Sequence, residues 1–216
     1  MAAAVPGMAR AGASPPGEPV DVALLMAVDA SASITRDDLA LQLDGHAAAF
    51  RSDAVHSAIQ GLPSRRLAAS LVLFAEPERM VTLVPWTVVS NPAETKDLAN
   101  AIAQAPGVAL GGSTALGATI IEAVRRLERC PHPARRKVVD LVSNGFSNAG
   151  TDPLTARGYA EEAGATVNAL VILDEYDWLE GYFQDQVVTR NGFVRVARSS
   201  ASFAEALLAK LVTEIA

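Results

Sequence analysis

The chain alternates between two rhythms of apolar and polar positions. Short unbroken apolar runs occur at Val22–Val28, Leu67–Ala75, Met80–Pro85, Lys137–Ser143 and Thr166–Leu173, and a shorter one at Phe193–Ala197. Between them lie longer stretches whose apolar positions recur every three or four residues. The first rhythm predicts strands and the second amphipathic helices. Thr35, with Asp38 three residues on, opens a helix through an acidic variant of a capping box, and Leu39, Leu43, His46 and Phe50 define its buried face. Ser52 caps a second helix, Ala54 to Gln60, closed by Gly61. Helical spacing returns over Pro92–Ala105 and again after Gly111-Gly112-Ser113-Thr114, where Leu116, Ile120, Val124 and Leu127 line one side. Asp152-Pro153 reads as a cap followed by a first helical residue, with Gly164 at the far end. Ser202, with Glu205, predicts the cap of a last helix whose Phe203, Leu207, Leu208, Leu211 and Ile215 face inward.

Strands that are apolar throughout must be covered on both faces, and strands that alternate with helices run mostly parallel. The exception is the pair of runs joined by Glu76-Pro77-Glu78-Arg79, a link so short that it predicts an antiparallel hairpin at one edge, where Pro85 is tolerated. The expected fold is therefore α/β: a doubly wound, mostly parallel central sheet with one antiparallel edge strand and helices on both faces.

Composition narrows the partners. Of 216 residues, half are apolar and 19% charged, which suits one globular domain with a sizeable core. A net charge of −6 without a clustered basic face excludes nucleic acid; Arg135-Arg136-Lys137 is a short solvated strand entrance. Cys130 is the only cysteine, so neither an intrachain disulfide nor a cysteine zinc cluster can form. No apolar run reaches the roughly 18 residues of a membrane helix. Residues 1–20, rich in Ala, Gly and Pro, are expected to be a disordered lead-in or the remnant of a signal peptide, and 21–216 the folded unit. Ala11-Gly12-Ala13 has the form of a signal-peptidase site without a full apolar region before it. Export to the periplasm, if a full signal lies upstream, and a cytoplasmic location otherwise both stay open.

In doubly wound sheets ligands bind beyond the carboxyl ends of the strands, where strand order reverses. Three polar loops compete for that place: Asp29-Ala30-Ser31-Ala32-Ser33, Gly111-Gly112-Ser113-Thr114, and Ser143-Asn144-Gly145. If they converge they offer a carboxylate, hydroxyls and a side-chain amide, all oxygen donors suited to a hard cation such as Mg²⁺. Ser31 and Ser33 alternate, so an extended loop points both the same way. Gly111 and Gly112 let the backbone approach before Thr114 reaches inward.

This set resembles the metal-ion-dependent adhesion site of von Willebrand factor A domains, over nearly the whole chain from Asp21 onward. That signature is an Asp-x-Ser-x-Ser loop, a separate Thr, and an Asp in a Thr/Gly-Asp-Gly turn after the fourth strand; Asp29, Ser31, Ser33 and Thr114 match it. Asn144 stands where the turn carries Asp, which removes one negative charge from a position that meets the metal through water. Val84-Pro85-Trp86-Thr87, the stretch Gly112–Gly117 and the ending from Leu211 are similar, more narrowly, to the bacterial DUF1194 family, whose members are mostly predicted to be exported. The resemblance implies a non-enzymatic binding module. Asp29, Ser31, Ser33 and Thr114, with Asn144 through water, would hold Mg²⁺, or Mn²⁺ or Ca²⁺, and the open coordination position would take an Asp or Glu side chain of a partner protein.

Two alternatives remain at this point: a metal-dependent phosphoryl-transfer hydrolase using Asp29, and a metal-free scaffold. Nucleotide, P-loop and serine-hydrolase signatures are absent from the sequence. Asp140, inside an apolar strand, is expected to be a structural acid bonded to backbone or an Arg. Asn148 is expected to serve in a turn, and His46, His56 and His132 in structural roles. The segment Asp174 to Gln186 mixes acids with aromatics, which either pack a short helix on the edge of the sheet or form a partner surface.

Overall fold

The computed structural model describes residues 17–173 and 176–216. Its elements follow in the order β1 (Val20–Asp29), α1 (Arg36–Phe50), α2 (Asp53–Gly61), β2 (Leu67–Phe74), β3 (Met80–Val89), α3 (Pro92–Ala103), α4 (Leu116–Glu128), β4 (Ala134–Ser143), α5 (Pro153–Glu162), β5 (Ala165–Ile172), α6 (Leu179–Tyr182) running into a π turn (Phe183–Val187), β6 (Val194–Ala197) and α7 (Ser200–Ile215). The sheet order is β3-β2-β1-β4-β5-β6. Every neighbouring pair is parallel except β2 with β3. The expected doubly wound sheet with one antiparallel edge strand is what forms.

All ten residues of β1 are buried, which follows from its central place under helices on both faces. Alternate residues feed two cores. Val22, Leu24, Met26 and Val28 pack with α1, α2, α3 and α7. Ala23, Leu25 and Ala27 pack with α4, α5 and the segment around Leu179 and Phe183. After β1 the chain moves outward to β2 and β3, then returns to lay β4 on the other side of β1. The reversal therefore lies between the carboxyl ends of β1 and β4, where Val28 pairs with Val142. Asp29 and Ser143 follow directly.

Details depart from the sequence pattern for local reasons. β3 continues through Pro85 to Val89 because it is an edge strand and bulges there: Pro85 and Trp86 together oppose Ser70, so no ladder bond is asked of the missing N–H. Gly61 is the last residue of α2 instead of following it. The cap of α7 is Ser199, whose hydroxyl accepts from the Ser202 N–H, and Ser202 fills the third position of the box; Glu205 has no part in it. Gly17 and Val20 bond through their N–H groups to Pro131 and Pro133 carbonyls, tying the end of the expected lead-in to the loop before β4. Residues 1–16 of that lead-in, and Asp174 and Glu175 of the acidic segment, lie outside the described residues. Among the described residues no helix is long and apolar enough to cross a membrane.

Candidate functional site

Asp29 ends β1 wholly buried, and both its oxygens are engaged: Oδ1 accepts from the Ser31 N–H at 2.8 Å, and Oδ2 accepts from the Ser143 hydroxyl. The Ser31 bond turns the chain out of the strand, as Asp characteristically does two residues ahead of an N–H. Beyond it the three polar loops meet. Thr114 Oγ1 donates to Ser31 Oγ at 3.0 Å, Ser31 Oγ lies 3.4 Å from Ser33 Oγ, and Ser33 Oγ donates to Asn144 Oδ1 at 2.9 Å. Ser31 and Thr114 are buried, Asn144 is half-buried and Ser33 exposed, so the row of oxygens climbs from the core to the surface.

Backbone bonds hold the loops together. Leu110 and Gly111 both donate to the Ala30 carbonyl, at 2.9 and 3.0 Å, and Ala32 donates to Gly112 at 3.1 Å. Gly111 and Gly112 have φ of +71° and +80°, the left-handed region that lets this loop fold back on the first. Asn148 clamps Thr114 on both sides: its Oδ1 accepts from the Thr114 N–H at 2.8 Å and its own N–H donates to the Thr114 carbonyl at 2.9 Å. The Ser147 hydroxyl oxygen accepts from the Leu116 N–H, and the Ser147 N–H donates to the Tyr182 hydroxyl at 3.2 Å. Asn148, expected to serve in a turn, instead braces a second loop at Thr114, 34 residues away in the chain.

Electrostatics set Asp29 apart. Burial pushes its carboxyl above the usual range, against the pull of the Ser143 and Ser31 hydrogen bonds. Among the described residues no Lys, Arg or His lies within ion-pair distance of it. A buried carboxylate without a countercharge is costly, and a nearby cation removes the cost. The donor spacing suits a small one: an octahedral ion with ligands about 2.1 Å away sets neighbouring oxygens about 3.0 Å apart, close to the separation of the Thr114 and Ser31 hydroxyls. Among the described residues no group of three His, Cys, Asp or Glu side chains could hold a metal, so a cation site here would draw on the single Asp29 carboxylate and otherwise on hydroxyl and amide oxygens.

The other candidates fall elsewhere. Asp140 points to the opposite side of β4 from the oxygen row, into the core with α1 and α7, where it pairs with the Lys210 ammonium; the expected backbone or Arg partner is replaced by a lysine from the last helix. His46 is buried beside it, its Nδ1 2.7 Å from the Gln42 carbonyl. His56 and His132 are half-buried at separate places, and His132 Nδ1 contacts the Glu18 carbonyl. Ser143 as the group that grips Asp29 was not legible in the sequence; its place directly before Asn144 was the one available signal.

Residues 19–216 match the family model described as Protein of unknown function (DUF1194). No curated protein matches the sequence. Solved structures share the fold at low identity. The zinc-occupied form of proximal thread matrix protein 1 from the mussel byssus, described as having its MIDAS motif filled, is 18% identical with a TM-score of 0.67, covering 91% of this chain and 48% of that one. The von Willebrand factor type A protein from Catenulispora acidiphila is 15% identical, TM-score 0.62, covering 91% and 43%. The pilus adhesin SpaC from Lactobacillus rhamnosus GG is 15% identical, TM-score 0.63, covering 91% and 30%. The chain thus spans half or less of the length of these neighbours, whose common fold is that of a von Willebrand factor A domain.

Proposed function

We propose that this chain, which belongs to the DUF1194 family, is a protein-binding module whose Asp29, Ser31, Ser33 and Thr114, with Asn144 through water, hold a divalent cation and recruit an Asp or Glu side chain of a partner. Mg²⁺ is the first choice, with Mn²⁺ and Ca²⁺ as alternatives. The observation that carries the reading is the pairing of an uncompensated buried carboxylate with a connected row of neutral oxygens reaching the surface. Two neighbours bear printed names consistent with it, a matrix protein with zinc in its adhesion motif and a pilus adhesin.

When bound, the cation would supply a positive charge that one carboxylate only half neutralises, so an incoming acid gains a strong partner. The chain's own residues do the rest. Ser143 and the Ser31 N–H orient Asp29, Asn148 sets the height of Thr114, and Ser33 with Asn144 forms the exposed lip. Use of Asp29 as a phosphoryl-transfer nucleophile is disfavoured because attack needs a carboxylate oxygen open to the substrate and Asp29 is wholly buried, whereas its charge acts on a cation beside Ser31 and Thr114 from beneath.

Isothermal titration with Mg²⁺ tests the reading. Heat of binding is expected for the natural sequence and not for Ser31→Ala, and saturation at about a hundred times Kd should raise stability by about 2.7 kcal/mol, reversed by EDTA. No heat with Mg²⁺, Mn²⁺ or Ca²⁺ refutes it.

A further inference from the structure

Among the described residues the large apolar side chains that stay exposed are Val81, Val108, Phe146, Leu154 and Trp178. All five lie at one end of the molecule. Val81 pairs with Leu73 at the carboxyl end of β2, and Val108 precedes Leu110, whose N–H bonds to Ala30 just past β1. Phe146 is two residues beyond Asn144, Leu154 is in the first turn of α5 after the same loop, and Trp178 follows β5. Single exposed apolar residues scattered over a surface need no explanation, but their confinement to the rim that carries the oxygen row does.

Three aromatic rings on this rim form one surface. Phe146 meets Tyr176 at 5.7 Å and Trp178 at 5.6 Å between ring centres, and Tyr176 meets Trp178 at 5.2 Å. Phe146 is 36% and Trp178 49% exposed, so the cluster is only partly spent on the fold. Trp178 also meets Tyr182 at 6.2 Å edge-on, and the Tyr182 hydroxyl holds the Ser147 N–H. The rings are therefore braced to the loop that carries Asn144. Rigid aromatic groups of this kind give contact area at little entropic cost and are the usual anchors of protein interfaces.

We propose that the Phe146–Tyr176–Trp178 cluster is a second docking point beside the oxygen row, for a protein segment in which a large apolar or aromatic side chain stands next to the recruited Asp or Glu. The inference rests on the reading of the site given above. Residues 1–16 of this chain carry no Asp or Glu, so that stretch does not supply the segment.

Selection of a displayed random heptapeptide library on the full chain, once in Mg²⁺ and once in EDTA, tests the proposal. The Mg²⁺ pool should enrich sequences with Asp or Glu within two positions of Trp, Phe or Leu. Trp178→Ala and Phe146→Ala, whose side chains are exposed enough to leave folding intact by thermal melting, should bind the enriched peptides about five- to tenfold more weakly while keeping the Mg²⁺ heat. Acidic peptides without an apolar neighbour, or equal binding by the two variants, overturn the second docking point and leave acid recruitment standing. Enrichment that ignores both acid and metal, or no enrichment, overturns both. Mg²⁺-independent sedimentation with phosphatidylglycerol vesicles that is lost in Trp178→Ala overturns the proposal in favour of a membrane contact.

Discussion

Glu214 sits on the buried face of α7, 2% exposed, with Oε1 accepting from Lys210 Nζ at 2.6 Å and from Asn168 Nδ2 at 3.0 Å. Lys210 also pairs with Asp140 of β4, and His46 of α1 lies 3.9 Å from the second Asp140 oxygen. One ammonium thus faces two carboxyls. Burial, and next the Asp140 charge, push Glu214 from 4.5 up to about 8 against the pull of Lys210 and Asn168. Burial holds His46 below its ordinary value, outweighing the attraction of Asp140, so the imidazole adds no second cation near neutral pH. Because the folded state keeps a proton on Glu214 that the unfolded chain releases, stability from this group is full below about pH 4.5 and drains away as pH rises to about 8. At 1.36 kcal/mol for each pH unit the whole loss is at most about 5 kcal/mol, and readjustment of Asp140 and Lys210 reduces it. Glu214→Gln keeps an oxygen for Lys210 and Asn168 and removes the titration. Urea unfolding at steps from pH 5 to pH 9 should therefore show the variant gaining on the natural sequence by about 2–4 kcal/mol across the range, or roughly 5–10 °C in Tm. A difference that stays within about 0.5 kcal/mol at every pH refutes the reasoning, since Glu214 would then be charged in the fold.

The same cluster makes Lys210→Met destabilising by about 3–5 kcal/mol at pH 7, read by urea unfolding, because two buried carboxyls lose their shared cation. Asn144→Asp restores a second carboxylate beside Ser33 and should tighten Mg²⁺ binding about tenfold by calorimetry; an unchanged Kd means that this loop does not face the ion. At Gly117 a Cβ would stand 2.0 Å from the Thr151 carbonyl oxygen, a backbone atom with little freedom to move. Gly117→Ala is therefore expected to cost about 3 kcal/mol or more in chemical unfolding, by forcing α4 off the loop that precedes α5.

Much of this protein was settled by local chemistry and could be read in one dimension. The unbroken apolar runs required a sheet covered on both faces, the link from Glu76 to Arg79 required a hairpin, and Thr35 with Asp38 formed the cap their spacing announced. Asp29, Ser31 and Ser33 stood out because a strand that continued would carry more apolar residues and a plain turn would more often carry Gly, Asn or Pro. Contacts between distant segments were decided only in three dimensions. Ser143 grips Asp29 across 114 positions and Asn148 grips Thr114 across 34, distances at which spacing carries no signal. Lys210 and Glu214 lay at helical spacing with Leu207 and Leu211 on the inward face, yet a charged residue there looks like the edge of a solvated stripe until Asp140 is known to lie opposite. Periodicity dictates which face of an element is buried. What that face meets depends on the order in which the strands are laid side by side, and that order arises from packing the whole chain at once.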